Sequence, residues 1–498
     1  MIIESKYNIN VYTFIYAIVC IILGILLEIL SYIENDELLL MRSISFFTFV
    51  EWVLFLLTNF LVTKTKGTFS SVFISLVYVF HFGQVILFSI DPSLFQYSGG
   101  ASYLHYFSAE DNYYSFRFIN YAFVSMCTGC LLFESVPISR EKAKQRRLPK
   151  IATGKIWILL LLTLPVKVLA DFTLLKLELA IGHSLATQQF ARVFPPVLAG
   201  YGLMAVMGMG LLLLAMKDYP RKQAITFFLI ITYFFIIMIG GSRGTPVSCI
   251  CLFVFLYLKS TKSKIDFKKT IVYLFCGYLF LLYIYAIVIV RNASFSFSNL
   301  SSAFSMMDNQ INVICKFLAS SGNTGYTAEC VLVYWLRDFS PSHGYSYLGG
   351  VVAYLLRPLG ILPNDYYHDA AFGRVLQDYQ ALNSKYFNIG GSAIGEAFFN
   401  FGEIGGVLFC LVIGGIVGFI SNKCEKGLFR HLDYKSGYII LLMVELIFYV
   451  RGYFPVMAFR GILGYIFLQI ILRLNYMNLR VRAKNLTAMT APRRFTMK

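Results

Sequence analysis

Arg243 stands in the run Gly240, Gly241, Ser242, Arg243, Gly244, closed by Pro246, and Arg451 precedes Gly452 in a similarly short turn closed by Pro455. Glycines beside an arginine permit positive φ and leave backbone amides uncovered. The guanidinium fork itself bonds phosphate oxygens in pairs. Anion capture is the chemistry that such turns offer, with a phosphorylated lipid headgroup as the natural ligand. Arg291 and Arg460 stand at or near the ends of other apolar runs and come from different hairpins. One arginine at a helix end is explained by snorkelling toward interfacial water and lipid phosphate. Four on one face, two of them in Arg-Gly turns, favour a site.

Acid–base chemistry has fewer candidates. His343, between Ser342 and Gly344, and His368, between Tyr367 and Asp369, could act as general bases at neutral pH, although a loop histidine is most often only a surface residue. Glu396, Asn400 and Glu403 follow i, i+4, i+7, so a regular helix places them on one face, where two carboxylates need water, a cation or arginines. Lys167 and Asp171, four apart, read as a neutralising pair, while Glu51 and Glu445 lie in apolar runs without a sequence-near partner. There is no Asp-x-Asp pair and no His or Cys/His spacing that announces a metal, so neither metal nor cofactor is expected.

The elements that must position these residues are membrane helices. The 498 residues are 58% hydrophobic and only 14% charged, against about a quarter charged in a soluble domain. An all-α polytopic membrane protein follows. The net charge of +17 sits in short stretches between apolar runs, which sets topology and contacts anionic headgroups and argues against a nucleic-acid partner. We count about twelve runs long enough to cross a bilayer. They fall near 10–30, 43–63, 69–90, 117–136, 156–178, 195–216, 223–240, 245–260, 270–290, 394–421, 437–450 and 456–473. Residues 1–290 thus carry nine spans, 291–393 form one large outer loop, 394–473 carry three more spans, and 474–498 form a basic tail. The first run lacks a cleavage site and reads as a retained helix. The basic connections, above all Arg140 to Arg147, then fall on the cytoplasmic side with both termini.

The loop reads as water-facing, with 345–363 too interrupted by Arg357 and prolines to span and therefore interfacial or re-entrant. Cys315 and Cys330, both in the loop, could form a disulfide in an oxidising space. In the span that follows, Gly391 with Gly395, Gly402 with Gly406 and Gly414 with Gly418 repeat at four-residue spacing, which lets helices approach closely in lipid.

Two stretches carry a resemblance: Gly240 to Gly244, and the run Gly391, Ser392, Ala393, Ile394, Gly395, Glu396, Ala397, Phe398, Phe399, Asn400, Phe401, Gly402, Glu403, Ile404, Gly405, Gly406 that leads from the loop into the next span. With the architecture and, more weakly, the Arg451 turn, they resemble the Wzy-type repeat-unit polymerases of bacterial O-antigen and capsule assembly. The resemblance implies a metal-independent, membrane-embedded glycosyltransferase of the C type, acting on undecaprenyl-pyrophosphate-linked oligosaccharides at the periplasmic face of the inner membrane. Its implied partners are the lipid-linked oligosaccharide, membrane lipids, and a chain-length regulator and flippase as candidates. Under that expectation Arg243, Arg291 and Arg451 stabilise the pyrophosphate leaving group. Glu396 or His343 takes the proton of the acceptor hydroxyl. Arg337, Arg357, Arg374, His368, Arg460, Tyr345 and Tyr367 bind substrate, the tyrosines by stacking on sugars or by anchoring at the interface. An O-antigen ligase shares the same logic with a different acceptor. A lipid-linked oligosaccharide flippase or other transporter is the alternative from another class, but transporters usually have short connections and often paired halves, which this chain lacks.

Overall fold

The computed structural model describes residues 4–34, 36–65, 67–92, 107–134, 153–182, 196–240, 244–261, 275–284, 313–356, 390–425 and 432–471, with a few single residues between them. Among these residues every regular element is helical. In chain order they are α1 (Glu4–Ile33), α2 (Glu37–Thr63), α3 (Phe69–Ile90), α4 (Ala109–Glu134), α5 (Thr153–Ile181), α6 (Pro196–Gly202), α7 (Met204–Ala215), α8 (Pro220–Met238) and α9 (Gly244–Ser260). There follow α10 (Phe275–Ile284), α11 (Val313–Ser321), α12 (Asn323–Cys330), α13 (Tyr345–Leu356), α14 (Ala393–Lys423), α15 (Tyr434–Tyr449) and α16 (Phe454–Ile471).

Lipid supplies no hydrogen bonds to a backbone, so helix ends are closed by polar side chains where the chain meets water. Asp36 accepts from Leu38 N, Thr68 from Ser71 N and Ser392 from Gly395 N, and Asp433 forms a reciprocal capping box with Ser436. α1 turns Phe14, Ile21 and Ile25 outward while burying Tyr16, Cys20 and Leu27, the pattern of a helix with one face in lipid.

Eight of the described helices are long and apolar enough to cross a membrane, which makes this a multi-pass membrane protein. They coincide with eight of the twelve expected spans. The other four regions hold shorter helices: the 195–216 region breaks between α6 and α7, α9 has 17 residues and α15 has 16, and only Phe275–Ile284 is described of 270–290. α13 has 12 residues, too short to cross.

The bundle is organised around α14 lying along α4, its most extensive partner. Glycines make this approach intimate: a Cβ at Gly414 would lie 2.0 Å from Met126 O, one at Gly418 2.3 Å from Cys130 O, and one at Gly129 2.1 Å from Leu411 O. At the end of this pair, Glu134 accepts from Asn59 and Ser421, and Asn59 in turn accepts from Thr68 at 2.9 Å, which ties α2, α3, α4 and α14 together.

The segment expected to be a water-facing loop is partly inside the bundle. α11 packs on α3, and α12 packs on α3, α4 and α14, burying Tyr326, Glu329 and Cys330. Small residues permit it, since a Cβ at Gly83 would lie 2.5 Å from Leu318 O and one at Gly322 2.4 Å from Gln84 N. Cys315 and Cys330 are not bridged.

Candidate functional site

Phe448, at the end of α15, fills the space between two glycines. Its ring would lie 3.0 Å from a Cβ at Gly244 and 2.6 Å from one at Gly452. Gly452 in turn packs backbone to backbone on Gly391, where a Cβ would come within 2.2 Å of the Gly452 carbonyl oxygen. The first residue of α9, the Arg451–Gly452 turn and the head of α14 therefore meet at one end of the bundle. Gly244 and Gly452 share the Phe448 ring, a side chain that the sequence did not single out, and Gly391 joins them through Gly452.

Two cations reach this level from α16 and its preceding turn. Arg451 is exposed, with its guanidinium carbon 5.9 Å from the centre of the Phe80 ring on α3. Arg460 lies 5.2 Å over the Phe448 ring and donates from Nη1 to Glu445 Oε2 at 3.3 Å. Glu445, without a partner near it in sequence, thus has one across the α15–α16 hairpin. Nearby, Lys167 and Asp171 form the expected pair at 2.5 Å, and the Tyr233 hydroxyl donates to the same carboxylate oxygen at 2.6 Å.

Glu396 is 0% exposed, and its Oε2 accepts the Phe454 N–H at 2.9 Å. It closes the N-terminus of α16, where a carboxylate meets both an orphan N–H and the positive end of the helix dipole. Asn400, one turn on, accepts from Ser342 Oγ at 2.8 Å and Ser346 N at 3.2 Å and donates to Ser346 Oγ at 2.7 Å, so it fastens the head of α13 to α14. The shared face of Glu396, Asn400 and Glu403 does not persist. Gly402 takes φ +71° inside α14, a conformation that suits glycine, and beyond this kink Glu403 accepts from Tyr114 on α4.

His343 is exposed at φ +50° in the turn that Asn400 holds in place, and Tyr345 is exposed beside it. Tyr347 is buried, its ring 4.8 Å from that of Phe454 and its hydroxyl 3.4 Å from that of Tyr449. Arg337 is exposed and paired with Asp111 at 3.1 Å, which sets it apart from the Phe448 cluster. Arg243, Arg291, Arg357, Arg374, His368 and Tyr367 lie outside the described residues. Glu329 on α12 is fully buried; desolvation pushes its carboxyl well above the usual carboxylate range, and the negative charge of Asp111 adds to the shift.

The pairing of His81 with Ser392 is not legible in the sequence. His81 Nδ1 lies 3.0 Å from Val77 O, which can only accept, so Nδ1 carries the proton and Nε2 accepts from the Ser392 hydroxyl at 2.9 Å. Ser392 in the same position caps α14. The cap is legible as a serine before an apolar run, whereas nothing local links it to a histidine on α3.

A family model described as O-antigen polysaccharide polymerase Wzy matches residues 12–478 of the chain. No curated protein and no solved structure matches it.

Proposed function

The chain belongs to the O-antigen polysaccharide polymerase Wzy family, and from that premise we propose that it joins undecaprenyl-pyrophosphate-linked repeat units at the periplasmic face of the bacterial inner membrane. The observation that carries this reading is the packing of Gly244, Gly452 and Arg460 on the Phe448 ring, with Gly391 seated against the Gly452 backbone and Arg451 preceding Gly452 in the same turn. Arg243 is adjacent in sequence to Gly244.

In the reaction an acceptor sugar hydroxyl forms a bond to the anomeric carbon of the donor glycan. The bond from that carbon to the pyrophosphate oxygen breaks, and the electron pair leaves with the lipid pyrophosphate. Guanidinium groups placed beforehand stabilise the charge that develops on the leaving oxygen, the role assigned to Arg243, Arg291, Arg451 and Arg460. The acceptor proton goes to a base. His343, exposed on a turn fixed to α14, suits that task, while Glu396, committed to Phe454 N, is assigned to hold the Arg451 turn. Tyr345, Tyr367, Arg337, Arg357, Arg374 and His368 are assigned to the glycan.

The test is a glycan gel from the parent bacterium carrying Arg243→Ala, Arg451→Ala or Arg460→Ala. Each variant should remain in the membrane and lose the ladder of long chains, leaving single repeat units at the surface, with about a hundredfold loss of turnover for each donor removed. An unchanged ladder in all three overturns the reading. Loss of all surface repeat units would identify a flippase, and lipid-linked polymer that never reaches lipid A would identify a ligase.

A further inference from the structure

We infer that Glu445 is a positioning residue for Arg460, which it holds at the Phe448 cluster with one edge of the guanidinium free for an anion. The inference rests on the proposed glycosyl transfer and adds a residue to it. Glu445 is 0% exposed on α15, and its Oε2 accepts from Arg460 Nη1 at 3.3 Å while Oε1 has no hydrogen-bond partner among the described residues. That bond is also the one hydrogen bond of the guanidinium among the described residues. The arginine side chain keeps 21% of its surface exposed and lies across Phe448, which also packs on Gly244 and Gly452. The fork is therefore anchored from the buried side at one nitrogen and steadied by the ring.

A second pair completes the surroundings. Lys167 and Asp171 on α5 pair at 2.5 Å, with the Lys167 ammonium 5.9 Å over the Phe234 ring of α8. Arg460 and Lys167 thus each have a carboxylate partner among the described residues. A clasp needed only to join α15 and α16 would be served as well by apolar side chains, because burying a carboxylate and a guanidinium costs solvation that their attraction barely repays. A fixed fork at the developing negative charge gives the pair a use.

The test uses the full-length protein in proteoliposomes with the parent bacterium's repeat unit on its polyprenyl pyrophosphate. Glu445→Gln keeps an acceptor and a similar volume but removes the charge that orients the fork. It should lower kcat at least tenfold with KM unchanged or lower, since the cluster becomes more positive. Arg460→Ala should also lower kcat, and the double variant should be no worse than Arg460→Ala, because both substitutions remove one unit. If Glu445→Gln proves too unstable to assay, Arg460→Lys, which keeps the ion pair and loses the fork, should show the same fall in kcat. Wild-type kcat in Glu445→Gln, additive losses in the double variant, or full activity in Arg460→Lys overturns the inference. Loss of activity in Arg460→Ala with full activity in Glu445→Gln refutes this positioning role alone, whereas intact ladders in Arg243→Ala, Arg451→Ala and Arg460→Ala refute the transferase site itself.

Discussion

Phe448 is the common neighbour of Gly244, Gly452 and Arg460. At the same scale Glu396 changes character. A carboxylate expected to act as a general base from its place near an outer helix end is buried, with Oε2 accepting from Phe454 N, and we propose that it serves there as an acceptor. Glu396→Gln retains an acceptor for that N–H and is expected to keep polymerising within several-fold of the parent. Glu396→Ala leaves the first N–H of α16 unsatisfied, which costs about 1–3 kcal/mol, and is expected to lose the ladder. Glycan gels of the two variants, with membrane levels measured alongside, check this; equal loss in both would restore Glu396 as the base.

At the scale of elements, the pairing of α4 with α14 is the scaffold from which the head of α14 reaches Gly452. The contact is backbone against backbone, so there is no flexible side chain to move aside. Gly414→Ala would drive its methyl to 2.0 Å from Met126 O and is expected to destabilise the protein by about 1–3 kcal/mol. Gly277→Ala in α10 meets nothing within 4 Å and serves as the neutral control. Melting temperatures in detergent compare the two. Gly402 acts in the opposite sense, since its positive φ bends α14 and lets Glu396 face α16 while Glu403 faces α4.

For the molecule as a whole, a multi-pass bundle holds helix ends from distant parts of the chain at one level, and the cations gathered there are the means proposed for balancing phosphate charge. With guanidinium groups in that role, chain growth in vitro from the lipid-linked repeat unit is expected to continue in excess chelator. Activity that disappears with chelator and returns with a divalent cation would remove the arginine mechanism.

Much of this was legible in the sequence for a simple physical reason: long apolar runs must be helices in lipid, and glycines four apart allow close packing. The family resemblance, the helical membrane class and the pairing of Lys167 with Asp171 all rest on such local patterns. The span count was less secure, because length and hydropathy alone do not show where α6 breaks from α7. The burial of α11 and α12 was not legible either, because it depends on Gly83 and Gly322 meeting across a large sequence separation. Partners of this kind are set by packing. Glu445 finding Arg460, His81 finding Ser392 and Glu396 finding Phe454 N were therefore decided only by the tertiary structure.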